Sequence, residues 1–115
     1  MTRDQMAAFD EMPFHLFAKD PEGRYLFASA AIGEAAGRDP TGLTDADMPW
    51  AADAGVFREH ERRVLQTGET LYAHEHGTLP DGSTLVLSIC KWRGELDGQP
   101  CVFGIGFPIP EDQPT

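Results

Sequence analysis

The sequence predicts an α+β domain, a five-stranded antiparallel sheet with helices over one face and a short helix at the N-terminus. Three observations carry this. Two β-rich runs joined by turn chemistry precede a helical middle, Phe14–Lys19 and Tyr25–Ala28 around Asp20-Pro21-Glu22-Gly23. One amphipathic stretch, 53–67, has helical spacing and ends at Gly68. Three further β-rich runs then follow, punctuated by Asp81-Gly82 and Asp97-Gly98. Two strands and three strands flanking a helical excursion close most simply into one sheet.

At 115 residues the chain has room for one modest core. Residues 1–10 are expected to form a cap helix, 11–109 the domain and 110–115 an acidic tail. Met6, Ala7 and Phe9 supply the cap helix with apolar contacts, and Pro13 limits its length. In the first hairpin Pro21 fixes one dihedral and Gly23 accepts a positive φ. Ser29 is placed to cap the Ala-rich segment 30–36, which Gly37 ends. Thr44 and Asp47 form a variant capping box that starts a turn, shortened by Pro49. On the 53–67 helix, Phe57, Val64 and Leu65 share a face with His60 or Glu61 between them, and Arg58, Glu59, Arg62 and Arg63 lie largely outside it. Strands are expected at 71–79, 84–92 and 101–107, with Pro108 and Pro110 stopping the last.

The formal charge of -10 comes from 19 acidic and 9 basic residues. Such a chain repels phosphate backbones, which argues against nucleic acid as a partner, and high solubility is its simplest consequence. No apolar run approaches the ~18 residues of a membrane helix and no signal peptide is evident, so a soluble, cytoplasmic protein without membrane partners is expected. Two cysteines, Cys90 and Cys101, are too few for a disulfide scaffold and read as free thiols.

Strand parity sorts the apolar residues onto two faces. Phe17, Leu87, Ile89 and Val102 face inward and meet Ile32, Trp50 and Phe57 from the helices, with His60 at the edge. These eight form the wall of an apolar pocket or a filled core. Val86, Cys90, Trp92, Phe103, Ile105 and Phe107 fall on the outer face. A sheet face that apolar is not left in water, so cover by the N-terminal helix through Phe9, by a second subunit, or by both is expected.

Several stretches resemble the PAS family. Lys19-Asp20-Pro21-Glu22-Gly23-Arg24-Tyr25-Leu26-Phe27 is similar to its first hairpin. Gly42-Leu43-Thr44-Asp45-Ala46-Asp47-Met48-Pro49-Trp50 is similar to the G-x-T-D-x-D-x-P stretch of its sensor branches. Glu61-Arg62-Arg63-Val64-Leu65-Gln66-Thr67-Gly68-Glu69 resembles the end of its long helix, and Asp81-Gly82-Ser83 with Lys91 fits the fourth strand and the turn before it. The four lie in family order across roughly residues 11–107. One departure is Ser29, where many members carry asparagine.

The resemblance implies a pocket between the inner sheet face and the helices, which holds haem, flavin or a small metabolite in some members. It also implies a signal-transduction role, commonly as a dimer beside a histidine kinase, cyclase or transcription regulator; this chain has no room for such an output domain and is expected to signal through a separate protein. No cofactor is required by the sequence. Haem would need an axial ligand, for which His60 is the best placed histidine. His74 and His76 point the same way from one strand but lack a second pair for zinc. No cysteine sits on a helix for a flavin adduct, and no glycine-rich phosphate loop is present. No Ser-His-Asp, Cys-His or paired-carboxylate spacing stands out, so no enzyme activity is expected. The alternatives are a small pocket enzyme using His60 with Asp45 or Asp47, and a purely structural dimerisation module with no ligand.

Overall fold

A computed structural model describes residues 1–110. The elements run α1 (Arg3–Ala7), β1 (His15–Lys19), β2 (Tyr25–Ala28), α2 (Ala30–Ala36), two 3-10 turns (Asp45–Asp47 and Ala51–Asp53), α3 (Ala54–Thr67), β3 (Leu71–Thr78), β4 (Thr84–Leu96) and β5 (Gln99–Pro108). The strands form one antiparallel sheet in the order β2-β1-β5-β4-β3. The α+β architecture is therefore as the sequence predicts. The proposed tail beyond residue 110 lies outside the described residues.

Local signals account for most boundaries. Gly37 and Gly68 end α2 and α3 in the left-handed conformation at φ 72°. The Thr44/Asp47 capping box is present. The cap helix is shorter than expected, five residues opened by a Thr2/Gln5 capping box, and its buried contact is Met6; Phe9 lies beyond its end, 44% exposed and outside the outer-face cluster. Strand β4 runs to Leu96, past the expected end at Trp92, because Gly94 and Glu95 still pair with Cys101 and Pro100 of β5. Ser29 stands at the start of α2 without capping it. Its hydroxyl accepts from the Leu16 amide and donates to the Phe14 carbonyl, tying α2's entry to β1, while Asp10 accepts from the Ala30 amide.

Two apolar layers sandwich the sheet. On the inner face Phe17, Tyr25, Ile32, Met48, Trp50, Phe57 and Ile89 pack together under the helices. On the outer face Met6 packs on Leu16, Ala18, Leu96, Cys101 and Phe103. The register pairs Phe17 with Gly104 and Lys91 with Gly104, so the Phe17 ring lies across a strand position where any Cβ would collide with it. The register also bears out the assignment of faces: Phe17, Leu87, Ile89 and Val102 are inward, and Trp92, Phe103 and Ile105 outward.

Candidate ligand cavity and its buried charge network

Beneath the helices lies a cavity of about 50 Å³ lined by Phe17, Ile32, Trp50, Phe57, Leu87 and Ile89, with Lys19, Tyr25, Asp45 and Glu75 among its polar borders. Six of the eight predicted pocket residues thus meet. Val102 and His60 do not. Val102 is inward and fully buried but pairs with Lys19 and Arg93, displaced along the strands from the cavity. His60 lies one helix position away from the inward face, where its Nδ1 donates to Glu75 Oε2 at 2.9 Å.

The cavity is bordered by a charge network that the sequence reading did not anticipate. Lys19 and Lys91, the only lysines of the chain, are 2% and 0% exposed. They project inward because each follows the inward parity of its strand, Lys19 two residues after Phe17 and Lys91 two after Ile89. Glu61 Oε2 bridges them, 2.8 Å from Lys19 Nζ and 3.0 Å from Lys91 Nζ. Lys19 also donates to Asp45 Oδ2 at 2.6 Å, and Lys91 reaches Glu75 Oε2 at 2.8 Å. Asp45 Oδ1 accepts from the Tyr25 hydroxyl at 2.6 Å and the Trp50 indole N–H at 2.8 Å. The ammoniums sit against aromatic faces, Lys19 Nζ 4.8 Å from the Phe17 and Tyr25 ring centres and Lys91 Nζ 5.4 Å from that of Phe57.

Of the two aspartates in this turn, only Asp47 takes part in the capping box. Asp45 instead anchors the network from the 3-10 turn that follows Thr44, and Glu61, not His60, fills the gap between Phe57 and Val64 on the buried face of α3. The spacing i, i+4, i+7 of Phe57, Glu61 and Val64 was the available signal.

Burial alone would raise the Asp45 carboxyl, but the Lys19 ammonium and the hydrogen bonds from Lys19, Tyr25 and Trp50 outweigh it and hold the group below its ordinary value. For Lys19, burial lowers the ammonium's pKa, and the Glu61 and Asp45 carboxylates beside it raise it further than burial lowers it. Burial, first of all, pushes the Tyr25 phenol up. A carboxyl depressed on folding contributes stability that is present above its unfolded value, about 4, and is lost as pH falls through the lower folded value. Asp45→Asn should therefore be less stable than the parent at pH 6, the gap closing as pH falls below about 4. Thermal melts between pH 6 and 2.5 test this; parallel stability curves would show that Asp45 does not titrate across folding.

His74 and His76 are exposed on β3, with Glu75 between them facing inward, and His76 reaches the cavity mouth. Among the described residues no group of three or more His, Cys, Asp or Glu is arranged to hold a metal ion. Cys90 and Cys101 are free, and burial pushes the Cys101 thiol up to about 11. A porphyrin or flavin ring does not fit a cavity of about 50 Å³, no cysteine borders it, and His60 lies outside it and is bound to Glu75. On the outer face Tyr72, Cys90, Ile105 and Phe107 border a shallow open depression that α1 leaves uncovered, with Tyr72 exposed at its rim. Among the described residues no helix is long and apolar enough to cross a membrane.

A search of curated protein sequences gave no match. Among solved structures, the Vibrio cholerae VqmA dimer determined without target DNA superposes with a TM-score of 0.81 at 24% identity, covering 96% of this chain and 52% of that one. VqmA bound to DPO gives 0.78 at 27% identity, covering 92% and 57%. The PAS domain of an HTR-like protein from Haloarcula marismortui gives 0.74 at 18% identity, covering 92% and 89%. The chain thus spans about half the length of the VqmA chains it matches. VqmA has also been solved with ligand and DNA, so these relatives lend no support to the expectation that excludes nucleic acid. A family model described as PAS fold matches residues 9–105, nearly the whole described domain, and the chain belongs to that family.

Proposed function

We propose that this domain is a sensory binding module that takes a small ligand in the cavity beneath its helices and passes the signal on through its outer sheet face. The observation that carries this is the cavity itself, an apolar chamber whose border includes carboxylates and an ammonium held in fixed geometry by Tyr25, Trp50, Glu61 and Lys91. Apolar walls with a few placed polar groups are how small-molecule sites combine affinity with orientation. VqmA, a relative of 27% identity over most of this chain, has been solved bound to DPO, which supports a ligand-binding reading here. We read no turnover into the site, since the only described partner of His60 in the network is Glu75, not Asp45 or Asp47.

The outer face supports the second half of the proposal. Tyr72 is 78% exposed and Phe107 50%, beside half-buried Cys90, Trp92 and Ile105. Such a patch suits a second copy or a signalling partner better than water. Native mass spectrometry of freshly purified protein tests both halves. A bound small mass, or a protein that becomes dimeric when a small molecule is added, is the expected result. An empty dimer indifferent to small molecules would sink the cavity reading and leave a structural dimerisation module.

A further inference from the structure

The borders of the cavity select among ligand chemistries. Of the charged residues that border it, Asp45 and Glu75 are carboxylates and Lys19 is the one ammonium. Across the whole network two ammoniums face three carboxylates, and the His60 imidazole adjoins Glu75. The two Glu75 oxygens differ. Oε2 takes both Lys91 and His60, whereas Oε1 has no hydrogen-bond donor among the described residues. The Glu75 side chain is only 6% exposed and borders the cavity. A buried carboxylate oxygen without a donor is short of one.

Resting on the reading of the cavity as a ligand site, we infer that it takes a small molecule with a cationic, multi-donor nitrogen headgroup, of amidinium or protonated-amine type, on a flat apolar body. The headgroup donates to Glu75 Oε1 and brings a cation to a border where carboxylates outnumber ammoniums. A volume of about 50 Å³ has room for the equivalent of a few waters, enough for such a headgroup. The body then lies toward the half-buried His15, Leu79 and Leu85 and the exposed His76 that line the opening. An anion in the same place would face two carboxylates against one ammonium already committed to Asp45 and Glu61.

Benzamidinium, benzamide and benzoate share one shape and differ in charge, so they separate the charge preference from mere fit. Titrated into the isotope-labelled full chain and followed by NMR, benzamidinium should shift the amides of Gly77 and Ile89. It should bind about tenfold tighter than benzamide, with benzoate weaker still. Glu75→Gln should reduce benzamidinium to about the affinity of benzamide. Benzamide or benzoate binding as tightly as benzamidinium would overturn the charge preference and leave the cavity a ligand site. No shift of these amides with any of the three would overturn both. The ranking in the unaltered chain decides the matter even if Glu75→Gln fails to fold.

Discussion

Lys91→Met should cost the domain about 3–5 kcal/mol, the range for removing one partner of a buried ion pair. On an exposed strand the same exchange is close to neutral, so the size of the loss measures the network. Lys91 is 0% exposed and contacts two carboxylates, Glu61 at 3.0 Å and Glu75 at 2.8 Å. Without it, Lys19 is the only ammonium left among Asp45, Glu61 and Glu75, and Glu75 keeps only His60 as a partner. The methionine fills most of the space the lysine stem occupied, so the deficit is electrostatic and not a void. Urea unfolding of the parent, Lys91→Met, Glu61→Gln and the double variant separates the pair from its surroundings. The double variant should recover a substantial part of the loss, because it removes one of the three carboxylates left around a single ammonium. Additive losses would mean that Lys91 acts through packing alone.

How far the sequence disclosed this site depends on what parity and spacing can carry. Alternation tells which face of a strand a residue takes, so Phe17, Leu87 and Ile89 were placed correctly, and turn chemistry at Gly37, Gly68 and Thr44 fixed the element ends. Parity says nothing of depth along a strand. Val102 therefore faces inward yet lies beyond the cavity, level with Lys19. It also says nothing of partners. Lys19 and Lys91 follow the inward parity of Phe17 and Ile89, and in a chain of net charge -10 with only two lysines that was the visible clue. Reading it required pairing them with carboxylates from three other elements, which only the fold brings together. On α3 the difference between His60 and Glu61 is a rotation of one residue, about 100°. The spacing from Phe57 to Val64 admits either residue, and Leu65, four residues beyond Glu61, tips the face toward Glu61, although a glutamate is seldom fully buried.

Phe17→Ala should cost a comparable amount, about 3–5 kcal/mol, by a different mechanism. The ring sits at the junction of the core and the cavity. It meets Tyr25 edge-on at 6.1 Å between centres, covers Gly104, and lies 4.8 Å from Lys19 Nζ and 5.8 Å from Lys91 Nζ. Truncation removes the ring's contacts and leaves a void continuous with the existing cavity, beside two ammoniums that lose an aromatic neighbour. Gly104 offers no side chain to fill the gap. Phe17→Leu should cost markedly less, since a branched side chain still occupies part of the volume. The same enlargement makes the variant responsive to an apolar solute. Benzene at millimolar concentration should raise the melting temperature of Phe17→Ala and leave that of the parent unchanged, because only the variant has room for the whole ring. A loss under about 1 kcal/mol, with no response to benzene, would show that the helices close over the space and that Phe17 does not hold the cavity open.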